Sequence, residues 1–337
     1  MVEFGHCTIA PPLQGAALAL EDEQLGFDIR YFGDNHSLHP DPFVALLDAA
    51  RATTRIKLGT GIVTTVTRHP SVLANLAAPL QLASNGRAIL GIGKGDSVVA
   101  MVGKRPQKHD EFVSNATLLR AFLHGESVRL GNYDSSLAWL AGQDYAPVPI
   151  EIAGAGPKTL AAAATLADRI QLTVGAAPER IRWARDIISE ALADAGRDRN
   201  AVQVGALVPL CVDASRTFAA ERLRTGTAVI AHMASLPGMD LSTQPDKLRQ
   251  VTTRLRHAYD YGHHNMEETN PMRDLVDADF ADWYGIGGPP AYITERLGEL
   301  VELGIDYFVL GTVPLSEREI LATEVMPHIR KLEGGRR

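Results

Sequence analysis

The chain has 337 residues, 45% of them hydrophobic and 22% charged, with 33 basic and 40 acidic side chains for a formal charge of −7. That is the composition of a well-packed globule, and an acidic balance with no Lys/Arg block argues against a nucleic-acid surface. No apolar run reaches the roughly 18 residues a membrane span needs, and residues 1–10 contain a Glu and a His where a signal peptide needs an unbroken apolar core, so a cytoplasmic protein with no membrane partner is expected.

Residues 2–9 read as a first strand, ended by Pro11-Pro12. Residues 14–25 have helical spacing with Gly26 as a stop signal, residues 28–32 form a second strand, and "GDNHSLHPDP" is a loop. A second helix at 43–52 leads to two continuous apolar runs, 56–63 and 87–92, joined by a helix at 70–82. This is a βαβ unit, because a parallel strand is covered on both faces and need not alternate. A polar loop to Lys108, a helix over 110–124 and an irregular excursion over 125–146 follow. Regularity returns with a strand in "PIEIAG", a helix in "GPKTLAAAATLA", a strand in "DRIQLTV" and a helix over 178–195 stopped by Gly196. Residues 201–212 make strand seven, 214–288 a helical insertion, 290–303 a helix, 306–310 strand eight and 317–332 a final helix. Eight strands alternating with helices predict a (β/α)8 TIM barrel over 1–337 as a single domain, with the insertion between strands seven and eight; a doubly wound sheet is the runner-up.

Parallel-sheet proteins place their chemistry at the carboxyl ends of the strands, here Gly61-Ile62 and Lys94-Gly95-Asp96. "GIGKGD" at 91–96 is not a dinucleotide fingerprint, since no helix with the required downstream acid opens there; its glycines serve a tight turn or the close approach of a planar cofactor beside Asp96. "GAGPKT" at 154–159 is not a P-loop, because Pro157 stands where the glycine before Lys-Thr belongs, yet a Pro-initiated helix with amides upstream suits an anion as well as an ordinary turn. Asp34 and His36 in "GDNH" fit either acid–base work or loop capping. His263-His264 lacks partners at metal-ligand spacing, so no metal site is expected. Cys7 and Cys211, both in apolar runs, read as buried small hydrophobes and not as a disulfide.

Five segments, "LGFDIRYFGDNH", "RIKLGTGIVTTVTRHPSVLA", "GRAILGIGKGD", "IAGAGPKTLAAAATLADRIQL" and "GGPPAYITERLGELVELGIDYFVL", run in this order over most of the chain. Together they resemble the bacterial luciferase-like family of flavin and deazaflavin oxidoreductases. The resemblance implies a TIM barrel with a late insertion, usually a homodimer, holding the isoalloxazine or deazaflavin ring at the strand ends. It implies a non-prolyl cis peptide at Gly61-Ile62 behind that ring. Gly154, Ala155 and Gly156 would form a backbone cradle for the cofactor's phosphate-bearing tail, and Thr64, Lys94, Gly95 and Thr173 are further cofactor-binding candidates. Asp34 matches the acid that precedes the family's catalytic histidine, but Asn35 stands at the histidine position and His36 comes one later. Asp96 stands where deazaflavin-using members often carry an acid near the ring.

The segments around "TRHPSV" and "GAGPKT" are most similar to the branch that uses coenzyme F420. The first expectation is an F420-dependent oxidoreductase passing a hydride between deazaflavin C5 and a small organic substrate, with His36 or Asp96 handling a proton and Asn35 orienting by hydrogen bonds. The alternatives are a two-component monooxygenase using reduced FMN from a partner reductase, and a non-catalytic flavin- or deazaflavin-binding relative. The substrate would be set by the loops after strands one, two and four and by residues 259–270.

Overall fold

The computed structural model describes residues 1–236, 239–264 and 269–332. Residues 265–268, within the stretch expected to help set the substrate, lie outside the described residues. Eight strands, β1 (Glu3–Thr8), β2 (Ile29–Phe32), β3 (Lys57–Thr60), β4 (Ala88–Gly93), β5 (Ile150–Gly154), β6 (Arg169–Leu172), β7 (Gln203–Val208) and β8 (Tyr307–Leu310), join in one sheet. Their order is β3-β2-β1-β8-β7-β6-β5-β4, and β3 also pairs with β4, which closes the ring into the expected (β/α)8 barrel. The pairings β1–β8, β7–β8, β2–β3, β3–β4 and β4–β5 are parallel. β2, β4, β5 and β6 are buried along their whole length, which is why they read as continuous runs.

The described residues fall into two compact units: Cys7–Ala153 with Ala162–Arg169, and Met1–His6 with Gly154–Ala161 and Ile170–Arg337. In the first unit, α1 (Gly15–Leu25) stops at Gly26, whose φ of 84° suits a residue without Cβ. α2 (Pro42–Ala52) is capped by the Asp41 side chain, which accepts the Phe43 amide at 2.9 Å. α3 (Pro70–Ala83) follows β3, and the expected polar loop after β4 contains a one-turn helix, α4 (Ser97–Ala100), before α5 (His109–Leu123). The excursion after α5 holds an antiparallel hairpin, Val128–Leu130 with Tyr133–Ser135.

This unit buries charges that the hydrophobic pattern did not reveal. Arg30 on β2 is fully buried and meets Asp22 of α1 at 2.5 Å, the Thr8 hydroxyl, and the face of Phe32. Tyr31 donates to Glu151 at 2.7 Å, and Arg169 holds the same Glu151 oxygen at 3.0 Å. The carboxylate of Glu23 accepts the amides of Thr54, Arg55 and Ile56 at 3.1, 2.6 and 2.8 Å, tying α1 to the start of β3. Burial by itself raises the Glu23 pKa, but these three amides and the Arg55 charge outweigh it and leave the carboxyl below its ordinary value. A lowered pKa adds stability above the unfolded value, which is lost as pH falls through the folded one. Glu23→Gln is therefore expected to unfold at lower urea than the parent at neutral pH, with the gap closing as both are titrated below the carboxylate range. A gap that stayed constant with pH would show that the Glu23 charge is not what ties the loop.

Helix α6 (Pro157–Leu166) follows β5 directly. The second unit contains α7 (Pro178–Asp194) and the insertion after β7, with α8 (Arg216–His232), α9 (Asp246–Ala258) and α10 (Ala278–Tyr284) packed around Leu223, Ile230, Leu248, Leu255 and Phe280. The expected strand seven is broken by Pro209, which has no amide to donate. Its carbonyl accepts Ile286 N at 2.9 Å, and Leu210–Val212 pairs in parallel with Ile286–Gly288. The stretch expected as a helical insertion over 214–288 thus ends in a short strand. α11 (Pro290–Glu302), β8, α12 (Leu315–Ile320), a π-helical turn at Leu321–Val325 and α13 (Met326–Lys331) complete the unit.

Candidate active site

The first unit assembles a site from the ends of β2, β3 and β4. After β2, Asp34 is committed to an ion pair: Arg68 grips its carboxylate at 2.6 and 3.2 Å and reaches Asp41 at 2.7 Å, with the Asp34 side chain fully buried. Two hydrogen-bonded carboxylates hold the Arg68 pKa above its usual value despite the burial that lowers it. Asn35 is 5% exposed and donates from Nδ2 to Ser97 Oγ at 3.1 Å, joining the loop after β2 to the residue that follows Asp96. The Asn35 carbonyl accepts the amides of Leu38 and His39 at 2.8 Å, which turns His36 outward to an exposed position. The inward residue is thus Asn35, and the histidine beside it faces solvent.

After β3, the Gly61-Ile62 peptide is cis, as the resemblance implied. The Gly61 amide donates to Phe32 O at 2.8 Å and its carbonyl lies 3.6 Å from Cys7 Sγ. Burial pushes the Cys7 thiol up to about 12, so it stays a neutral donor. Neither cysteine is in a disulfide.

The glycines of "GIGKGD" have distinct causes. A Cβ on Gly91 would run into the Thr60 carbonyl and approach Ile62, and one on Gly93 would strike Ile62, so these two make room for the Ile62 side chain. Gly95 has φ +96°, and a Cβ there would lie 2.6 Å from Val99 and 3.4 Å from the Thr64 hydroxyl. Thr64 is buried and pairs with Gly93 at the end of β4, and the Lys94 carbonyl accepts Gln107 N at 2.9 Å. Asp96 begins α4 with its main chain, its carbonyl accepting Val99 N and Ala100 N at 3.1 Å. Its side chain makes no capping bond there, and both carboxylate oxygens are shielded from water.

The second unit holds the other candidates. The Gly154 carbonyl accepts the Thr173 amide at 3.0 Å, and the Gly156 carbonyl accepts Thr159 N and Leu160 N at 3.1 and 3.0 Å, starting α6. Among the described residues the amides of Ala155, Gly156 and Lys158 donate to no protein acceptor. Together with the positive end of α6 they form a site that fits a phosphate, and a Cβ on Gly154 or Gly156 would crowd Thr159 or Met239. Among the described residues no three His, Cys, Asp or Glu side chains are placed to hold a metal ion, and no helix is long and apolar enough to cross a membrane.

Sequence reasoning missed Ser97, Arg68 and Met239. Ser97 directly follows the Asp96 singled out in "GKGD", and Arg68 lies in the quoted "TRHPSV"; Met239 carried no sequence signal.

The chain is 28% identical to a 5,10-methylenetetrahydromethanopterin reductase of Methanopyrus kandleri over 95% of this chain and 96% of that protein. It is 24% identical to an F420-dependent glucose-6-phosphate dehydrogenase of Nakamurella multipartita, covering 99% and 98%. A solved F420-dependent secondary alcohol dehydrogenase with an F420-acetone adduct superposes with a TM-score of 0.76 at 20% identity, covering 98% of this chain and 99% of that one, and so shares its fold. The family model for luciferase-like monooxygenase matches residues 8–307, and the chain belongs to that family.

Proposed function

We propose that this protein, one luciferase-like domain over 1–337, is an F420-dependent oxidoreductase that moves a hydride between the deazaflavin and a small organic substrate. The observation that carries this reading is the extent of likeness to relatives named for F420 or for a pterin reductase, each aligned over more than nine-tenths of both chains. The residues at hand fit such a cofactor: the amides of Ala155, Gly156 and Lys158 stand at the start of α6 with no protein acceptor among the described residues, and Gly91 and Gly93 leave room for Ile62 at the end of β3.

When bound, the deazaflavin supplies or accepts a hydride at C5; the chain's part is to hold donor and acceptor carbons in line and exclude water. We assign the backing of the ring to Gly61, Ile62 and Thr64, with Lys94 and Gly95 beside it. The tail is assigned to Gly154, Ala155 and Gly156, with Thr173 fixing their turn. Asn35, locked by Ser97, orients the polar edge of a bound ring or substrate by hydrogen bonds. We assign the proton to Asp96, whose carboxylate oxygens are shielded from water at the end of β4, over His36, which is exposed. Asp34 keeps the loop after β2 in register.

We further read the protein as a cytoplasmic homodimer. Leu13, before α1, and Val44 and Leu47, on α2, line one surface concavity and are 95%, 66% and 40% exposed, an apolar face of the kind a second copy covers. Sedimentation of a monomer at micromolar concentration would remove that assignment.

The decisive measurement is an anaerobic titration with F420 and with FMN, read by fluorescence, followed by turnover of reduced F420 against ketone, enone and imine acceptors. F420 binding at micromolar or tighter concentration with turnover of one acceptor class is expected. Binding of FMN alone with oxygen consumption would make the protein a two-component monooxygenase instead. Tight F420 binding without turnover across the panel would make it a binding protein.

A further inference from the structure

The Gly154–Gly156 turn has a neighbour from the insertion. A Cβ built on Gly156 would lie 2.6 Å from Met239 Sδ and 3.3 Å from its Cε, so the thioether rests against the glycine itself. Met239 is held firmly there. Its amide donates to Leu236 O at 3.1 Å, and its carbonyl accepts Arg256 Nη2 at 3.1 Å. Nε of the same guanidinium, on the last turn of α9, donates to Ser235 O at 2.8 Å, while the Ser235 hydroxyl donates to His232 O at 2.7 Å at the end of α8. One arginine therefore fixes Ser235 and Met239 together, and through them the position of the sulfur over Gly156.

We propose that Met239 is a positioning and specificity residue for the phosphate-bearing tail, acting as an apolar wall on the Gly154–Gly156 turn, with Arg256 setting the wall in place. This rests on the assignment of that turn to the tail. An amide–phosphate contact strengthens as water is excluded and the local dielectric falls. Methionine is an apt wall because its unbranched thioether fills an irregular surface. Leucine has nearly the same volume and should serve almost as well, whereas alanine opens the turn to water.

The test uses the full chain and two ligands that differ in the tail: F420, and its tail-less deazaflavin chromophore ending at the ribityl hydroxyl. Wild type is expected to bind F420 at least about tenfold more tightly than the tail-less compound, the gain from one well-made charged contact. Met239→Ala is expected to weaken F420 binding by roughly 5–20-fold and to change binding of the tail-less compound by less than about twofold, with Met239→Leu near wild type. Arg256→Ala should fall between the two. Gly156→Ala should weaken F420 in the parent and weaken it less in the Met239→Ala background, since the clash with sulfur is then gone. If wild type does not distinguish the two ligands, the tail assignment fails and this inference with it. If wild type distinguishes them but Met239→Ala alters both equally or neither, the tail assignment stands and the role of Met239 is overturned. Thermal unfolding of each variant separates a lost wall from a lost fold, and Met239→Leu supplies the check if the alanine variant unfolds.

Discussion

Asp96→Asn is expected to lower turnover by about 10²–10⁴-fold, the usual share of a positioned proton carrier. The expectation follows from where the carboxylate sits. Asp96 starts α4 through its backbone carbonyl, and both carboxylate oxygens are shielded from water at the end of β4. Its neighbour Ser97 is held by Asn35, which keeps the loops after β2 and β4 together. His36→Ala, by contrast, removes an exposed ring and should leave turnover unchanged. Steady-state kinetics across pH separate the two residues: full turnover by Asp96→Asn, or a large loss in His36→Ala, would hand the proton to another group.

Asp22→Asn is expected to cost about 3–5 kcal/mol in urea unfolding, because it leaves Arg30 as a buried cation whose partner has lost its charge. Both side chains are fully buried and 2.5 Å apart, with the Thr8 hydroxyl and the face of Phe32 also against the guanidinium. The exposed pair Arg129–Asp134, at 61% and 69% side-chain exposure, is the control, and Arg129→Ala should leave the midpoint where it is. A small shift for Asp22→Asn would mean that water or a rearranged neighbour takes up the arginine charge.

The Arg30–Asp22 and Tyr31–Glu151–Arg169 contacts commit their charges to neighbours and hold the strands on which the site is built. Asp34 belongs with them, since Arg68 absorbs its charge. Asp96 is the carboxylate of the expected set placed where chemistry is proposed.

The hydrophobic pattern of the chain was enough to set out the barrel, because strands covered on both faces leave long apolar runs, and helix stops such as Gly26 are local events. Strand ends and glycine clusters, visible in a linear string, also made Gly61-Ile62, Asp96 and the Gly154–Gly156 turn candidates for a site. Three things needed the folded chain. Pro209 splits strand seven because residues 210–212 find a partner at 286–288, far along the sequence. The glycines at 91 and 93 answer to Ile62, a side chain from another strand's end. Asn35 faces Ser97 while His36 faces water, a choice made by the turn that the Asn35 carbonyl closes with Leu38 and His39. Local propensity and burial are written residue by residue; which charge meets which, and which of two adjacent side chains points inward, depend on contacts between distant segments that exist only once the chain has closed on itself.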